Sequence, residues 1–204
     1  MASARFRELE RRLKKLRKRF LPAVFSPVGN YTDRQLDYAR GYRLLAHAEI
    51  EAFLEDRCRQ VANSTLKQYR VDRQPKSVLL NLLSFHLVQD QLSNNKMKAI
   101  YSAKKDHCDE SLTDANSAYN KVLSKNQGIR EDNMLKMILP IGLDPAKIDA
   151  TWLNTLDAFG ANRGEIAHTS IKTQQQIDPQ DEFKTVKSLL KGLETLDGLV
   201  AKLR

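Results

Sequence analysis

The stretch Trp152-Leu153-Asn154-Thr155-Leu156-Asp157-Ala158-Phe159-Gly160-Ala161-Asn162-Arg163-Gly164-Glu165-Ile166-Ala167-His168 decides how this chain is read. Trp152, Leu153, Leu156 and Phe159 recur at helical spacing, and Gly160 is expected to end that helix. Asn162 and Glu165 have the N-cap and N3 spacing of a capping box, so a new helix is expected to start at Asn162. Arg163 then falls in a first turn, where free N–H groups and the helix dipole favour an anion. Arg is a planar fork suited to phosphate, and His titrates nearest neutrality. A group that holds phosphate and a group that moves protons are the minimum equipment for cutting RNA without a metal or other cofactor. Five residues of rotation place Arg163 and His168 about 140° apart on an ideal helix. Either the Arg curls back, or a second copy of the helix completes the site.

Outward from that stretch, composition favours helices. The 204 residues suit one sizeable domain, and 41% hydrophobic with 29% charged content can bury a core. Only 8 Gly and 6 Pro interrupt the chain. Cys58 and Cys108 lie far apart with no CxxC spacing, which argues against a disulfide framework or a zinc site. The longest apolar runs, near Val78–Leu83 and Met137–Leu143, are too short to span a bilayer, and the charged N-terminal stretch lacks the apolar run of a secretory signal. A soluble cytoplasmic protein without membrane contact is the expectation. The net charge of +9 is uneven: residues 1–20 hold nine Lys/Arg against Glu8 and Glu10.

Phe6, Leu9, Leu13, Leu16 and Phe20 form one narrow stripe on that basic segment, predicting an amphipathic helix within residues 1–25. It reads either as an electrostatic arm for nucleic acid or as a helix docked by its stripe with its charges solvated. A helical domain is expected over 30–204. Thr32 caps a long helix reaching about Tyr69, with Leu36, Ala39, Leu44, Ala48, Phe53 and Leu54 as its apolar face. Arg40, Arg43 and His47 neighbour one another by helical spacing, with Glu51 one turn on. They are candidate RNA-binding residues lining a cleft, or satisfied structural polars. Ser77 opens a central helix in which His86 reads as a core histidine. Residues 94–126 are weakly periodic, with His107-Cys108 near a break. Asn126-Gln127-Gly128 is a turn, a short helix ends at Pro140, and a last helix runs from about Asp181 to Lys202. No strand-like alternation appears. The expected fold is all-α, one helical bundle with long up-down core helices and shorter ones beside them.

The segment Ile141-Gly142-Leu143, then Trp152 to Phe159, then Asn162 to His168, resembles the HEPN superfamily and within it the RiboL-PSP-HEPN branch. Tyr38-Ala39-Arg40 and Ala46 to Glu55 are similar to that branch's first long core helix. The resemblance implies an all-α bundle that commonly dimerises, with an Arg and a His of each protomer facing one cleft. It implies a metal-independent endoribonuclease in a toxin–antitoxin, anti-phage or RNA-processing setting, or a non-catalytic module that binds RNA, a nucleotide or a protein partner. Arg163 and His168 match the motif as catalytic residues, and Asn162 supplies a neighbouring polar group. No cofactor or metal is implied; RNA, a second copy of the chain and an antitoxin protein are the partners implied. The position after the motif Arg is commonly Asn in the family and here is Gly164. Ser170 stands where a toxin subset carries a modifiable Tyr, so that regulation is not implied.

Overall fold

The computed structural model describes residues 2–89, 107–168 and 177–203, with the side chains of 87–89, 107 and 162–168 outside the description. Among the described residues the chain is all-α, with no strand. Its helices are α1 (Ala4–Phe20), α2 (Asp33–Asp72), α3 (Ser77–Gln89), α4 (His107–Ser124), α5 (Glu131–Ile138), α6 (Ala150–His168) and α7 (Pro179–Val200), with a 3-10 turn at Pro145–Lys147. No helix among the described residues is long and apolar enough to cross a membrane. The chain gathers into two compact units, the first from Met1–Leu54, Gln127–Met134 and Ala146–Gly198, the second from Glu55–Asn126, Leu135–Pro145 and Leu199–Arg204.

In the first unit the caps are local and readable. The Ser3 hydroxyl accepts from Phe6 N at 3.0 Å and starts α1. All of Phe6, Leu9, Leu13 and Leu16 are buried. At roughly 1.5–3 kcal/mol per fully buried side chain, that stripe is a packing face. Phe6 meets Phe53 of α2 edge-on at 5.9 Å, Arg12 pairs with Glu49, and Ser3 N donates to Asp197 of α7 at 2.7 Å. Thr32 and Gln35 form a capping box at the start of α2: Gln35 N reaches the Thr32 hydroxyl and Thr32 N reaches the Gln35 amide oxygen. The α2 core face in this unit is Ala39, Tyr42, Ala46, Ile50, Phe53 and Leu54. Ala48, expected on that face, is exposed, because an alanine has too little apolar area to define a face against its larger neighbours. Asp178 caps α7 through Gln180 N and Asp181 N, and Val186, Leu189, Leu193 and Leu196 are its buried stripe in this unit.

The second unit takes the rest of α2, all of α3 and α4, and the segments Leu135–Pro145 and Leu199–Arg204. Val78, Leu79 and Leu82 of α3 are buried, whereas His86, expected in the core, is only half-buried. Gly142 has φ +83 and lies so close to the Asn81 amide that a Cβ would collide with it. The Tyr119 hydroxyl donates to Met137 O at 2.5 Å. Burial pushes the neighbouring Cys58 thiol up to about 12, against the hydrogen bond to Tyr119. The expected break near His107-Cys108 corresponds to the start of α4, and residues 90–106 lie outside the described residues.

Candidate functional site

Helix α6 begins earlier than the motif suggests and does not break inside it. Asp149 is the cap: its carboxylate accepts from Trp152 N at 2.7 Å and its carbonyl from Leu153 N at 3.0 Å. From there the helix runs through Gly160 and Asn162 to His168. The expected stop at Gly160 and the capping box at Asn162 and Glu165 are therefore corrected. Gly160 is a packing glycine: a Cβ there would stand 3.1 Å from Arg130 Cγ, 3.2 Å from Arg130 N and 3.3 Å from Ile129 Cγ1. A glycine within a helix costs about 1 kcal/mol relative to alanine, and the close approach of the 129–130 backbone offsets it.

Each lead-in residue to the motif has its own fastening. The Trp152 indole is buried and donates Nε1 to Leu189 O of α7 at 3.1 Å, and Gly192 leaves the space that its rings occupy. Leu156 is buried. Asp157 accepts from Glu131 N at 2.9 Å and from Arg130 Nε at 3.3 Å, so a carboxylate on α6 caps the start of α5. That backbone hydrogen bond, reinforced by Arg130, holds the Asp157 carboxyl below its ordinary value of 3.8. Phe159 stacks on the His47 ring, with centroids 6.2 Å apart and planes 24° apart.

On the facing part of α2, His47 is 1% exposed and its Nδ1 lies 3.6 Å from Glu51 Oε2. Glu51 also accepts a hydrogen bond from Gly128 N. Gly128 has φ +128 and its backbone sits in the 127–130 turn that Gly160 and Asp157 hold from the other side. His47, Glu51, Gly128–Glu131 and Asp157–Gly160 thus form one connected brace. It ends two residues before Asn162 and three before Arg163.

The candidate RNA-binding row is engaged within the fold. Arg40 donates to Asp37 at 2.9 Å. Arg43 grips Glu182 with both arms of its fork, Nε to Oε2 at 2.7 Å and Nη2 to Oε1. Glu182 is 4% exposed; burial raises its carboxyl above the ordinary value, against the pull of Arg43. The catalytic candidates Asn162, Arg163 and His168 have a described helical backbone, and their side chains lie outside the described residues. Four residues separate Phe159 from Arg163, so those two positions share a face of α6, and His168 lies about 7.5 Å further along the axis and about 140° round it. Among the described residues no group of three or more His, Cys, Asp or Glu is gathered as a metal site would need.

Sequence reading found Arg43, His47 and Glu51 as neighbours and missed what they hold. The partners Glu182, Phe159 and Gly128 come from segments 77 to 139 residues away. The one sequence signal that could have exposed the brace is Asp157 directly after the apolar lead-in, a carboxylate with no local helix start to cap.

The RiboL-PSP-HEPN family model matches residues 4–202, nearly the whole chain. No curated protein and no solved structure matches it. The chain belongs to the RiboL-PSP-HEPN family.

Proposed function

We propose that this RiboL-PSP-HEPN protein is a metal-independent endoribonuclease whose site is completed by two copies of the chain. The observation that carries the reading is the unbroken α6. On one continuous helix the positions of Arg163 and His168 diverge by about 140°, so the phosphate-holding and proton-moving groups meet most readily when a second α6 supplies the other half. In the reaction the substrate's own 2′-OH attacks the adjacent phosphorus while His168 of one protomer removes its proton. The 5′-oxygen leaves with a proton from the second His168, giving a 2′,3′-cyclic phosphate and a 5′-hydroxyl. Arg163 stabilises the charge that builds on the phosphoryl oxygens, and Asn162 orients phosphate or imidazole.

Arg43 and His47 serve this reading as braces, and Arg40 is the member of that row proposed to reach RNA. A toxin–antitoxin or anti-phage setting, an antitoxin partner and a cytoplasmic location belong to the same proposal. The test is RNA incubated in EDTA with wild type, Arg163→Ala and His168→Ala. Wild type is expected to leave cyclic-phosphate ends, and the variants to lose about 100-fold or more. Equal cleavage by all three overturns the assignment. A second reading, RNA or nucleotide binding without cleavage, is favoured by Gly164 in place of the polar residue common after the motif Arg; it predicts retarded but intact RNA with wild type.

A further inference from the structure

Much of the Lys/Arg excess of residues 1–20 stands on the outer side of α1, next to lysines of α7. Two concavities lie there. One is a groove of about 580 Å³ between the two helices, floored by Phe6 and Leu190 and edged by Arg7, Lys184, Lys187 and Lys191. The other is a shallower hollow of about 320 Å³ along α1, lined by Arg11, Lys14, Lys15 and Lys18. Glu10 borders both, so they adjoin. Together they gather eight Lys/Arg and two Glu.

What these cations do inside the fold is limited. Lys14 pairs with Glu10 and Lys184 with Asp181, both at the exposed surface where such pairs are worth about 0–1 kcal/mol. Arg11, Lys15, Lys18, Lys187 and Lys191 are exposed and have no acidic partner among the described residues. By contrast Arg12 of α1 pairs with Glu49, and the Arg17 guanidinium lies against the rings of Phe25 and Phe183. Five cations without an ion-pair partner among the described residues stand on adjoining ridges and repel one another.

We infer that this surface docks the phosphodiester backbone of RNA. The occupant is argued from charge complementarity and from what the surface lacks. A bilayer-binding basic helix needs a free apolar face, and here Phe6, Leu9, Leu13 and Leu16 are already buried. The exposed lining is mostly amine and guanidinium, with Ser188, Glu10 and Glu194 among them and no exposed aromatic ring, so bases have nothing there to stack on and phosphates are the groups read. On each helix the free cations stand three or four residues apart, a spacing of about 4.5–6 Å along the axis that presents a row of charges to a polyanion. The inference deepens the ribonuclease reading by naming where substrate is gathered outside the α6 motif, and it can stand without that reading.

The probe is a fluorescent 2′-O-methyl oligonucleotide, in which the attacking hydroxyl is blocked, so binding is measured on intact RNA. Anisotropy titrations across a salt series compare wild type with Arg11→Gln/Lys15→Gln/Lys18→Gln, with Lys187→Gln/Lys191→Gln, and with all five changes together. The positions are exposed, and thermal unfolding checks that the variants fold. The slope of log affinity against log salt should fall by about 0.7 for each phosphate contact removed. The fivefold variant should bind at least 10-fold more weakly near 0.1 M salt, and oligo-U and oligo-A should bind alike. Wild-type affinity and slope in the fivefold variant overturn the inference, as does binding of the wild type to anionic vesicles but not to RNA. Arg163→Ala is the comparison: it should lower the slope by at most the single phosphate contact assigned to it, about 0.7, against about 3.5 for the fivefold variant. If wild type never cuts unmodified RNA yet shows the charge-dependent slope, the ribonuclease reading fails and this one stands.

Discussion

Asp157 is a residue whose charge does structural duty at a distance in sequence. Its carboxyl sits below the ordinary value because the Glu131 N–H and then Arg130 stabilise the anion. A folded value below the unfolded one means stability that is complete above about pH 3.8 and disappears as pH falls through the lowered value. Asp157→Ala is expected to cost about 1 kcal/mol at pH 7 by urea denaturation. The gap to wild type should close in acid below about pH 3.8; a gap that persists there would mean packing rather than charge. Gly192 offers a second residue-scale test. Any Cβ would collide with the Trp152 indole, so Gly192→Ala must push the ring off Leu189 O. A loss of about 1–3 kcal/mol is expected. The chain has a single Trp, so its fluorescence should shift to the red as the indole becomes wet, and an unshifted spectrum would contradict the packing described.

At the scale of elements, α7 is tied to α2 by the Arg43–Glu182 pair, and what matters is that the pair is buried. Removing one partner strands the other charge, so Glu182→Ala should destabilise by about 3–5 kcal/mol, whereas Arg43→Met/Glu182→Leu should recover most of that loss. Equal losses in single and double variants, read by thermal unfolding, would show the pair to be incidental. The elements themselves were largely legible. Thr32 and Gln35 announce α2, the Phe6–Leu16 stripe announces α1, and periodic leucines announce α7, because caps and periodicity are local physics. Helix α6 was misread at Gly160 for the complementary reason. A glycine marks a stop only when nothing repays it, and what repays it here is the backbone of residue 130, thirty positions away and invisible to any local pattern. The same applies to Ala48 and His86, whose exposure depends on larger neighbours.

For the whole molecule, a site shared between two protomers makes a prediction that neither single variant can. Mixing wild type with an excess of His168→Ala and allowing subunits to exchange should drop cleavage well below the wild-type share, because a mixed dimer keeps one His168 where the proposed reaction uses two. Activity that stays proportional to the wild type added would argue for self-sufficient protomers. The candidate motif rests on residue types whose chemistry is read locally; the braces before it were not legible, because they are assembled from three distant segments. The bond from Ser3 N to the Asp197 carboxylate has a consequence for synthesis. The two residues are 194 positions apart. At about 5–20 residues per second the ribosome needs roughly 10–40 s to deliver the later one. The α2 wall of the first helix emerges early, but its α7 wall follows more than a hundred residues later. Throughout that interval the nascent chain carries a half-covered greasy strip beneath a cluster of positive charge, a natural client for a chaperone.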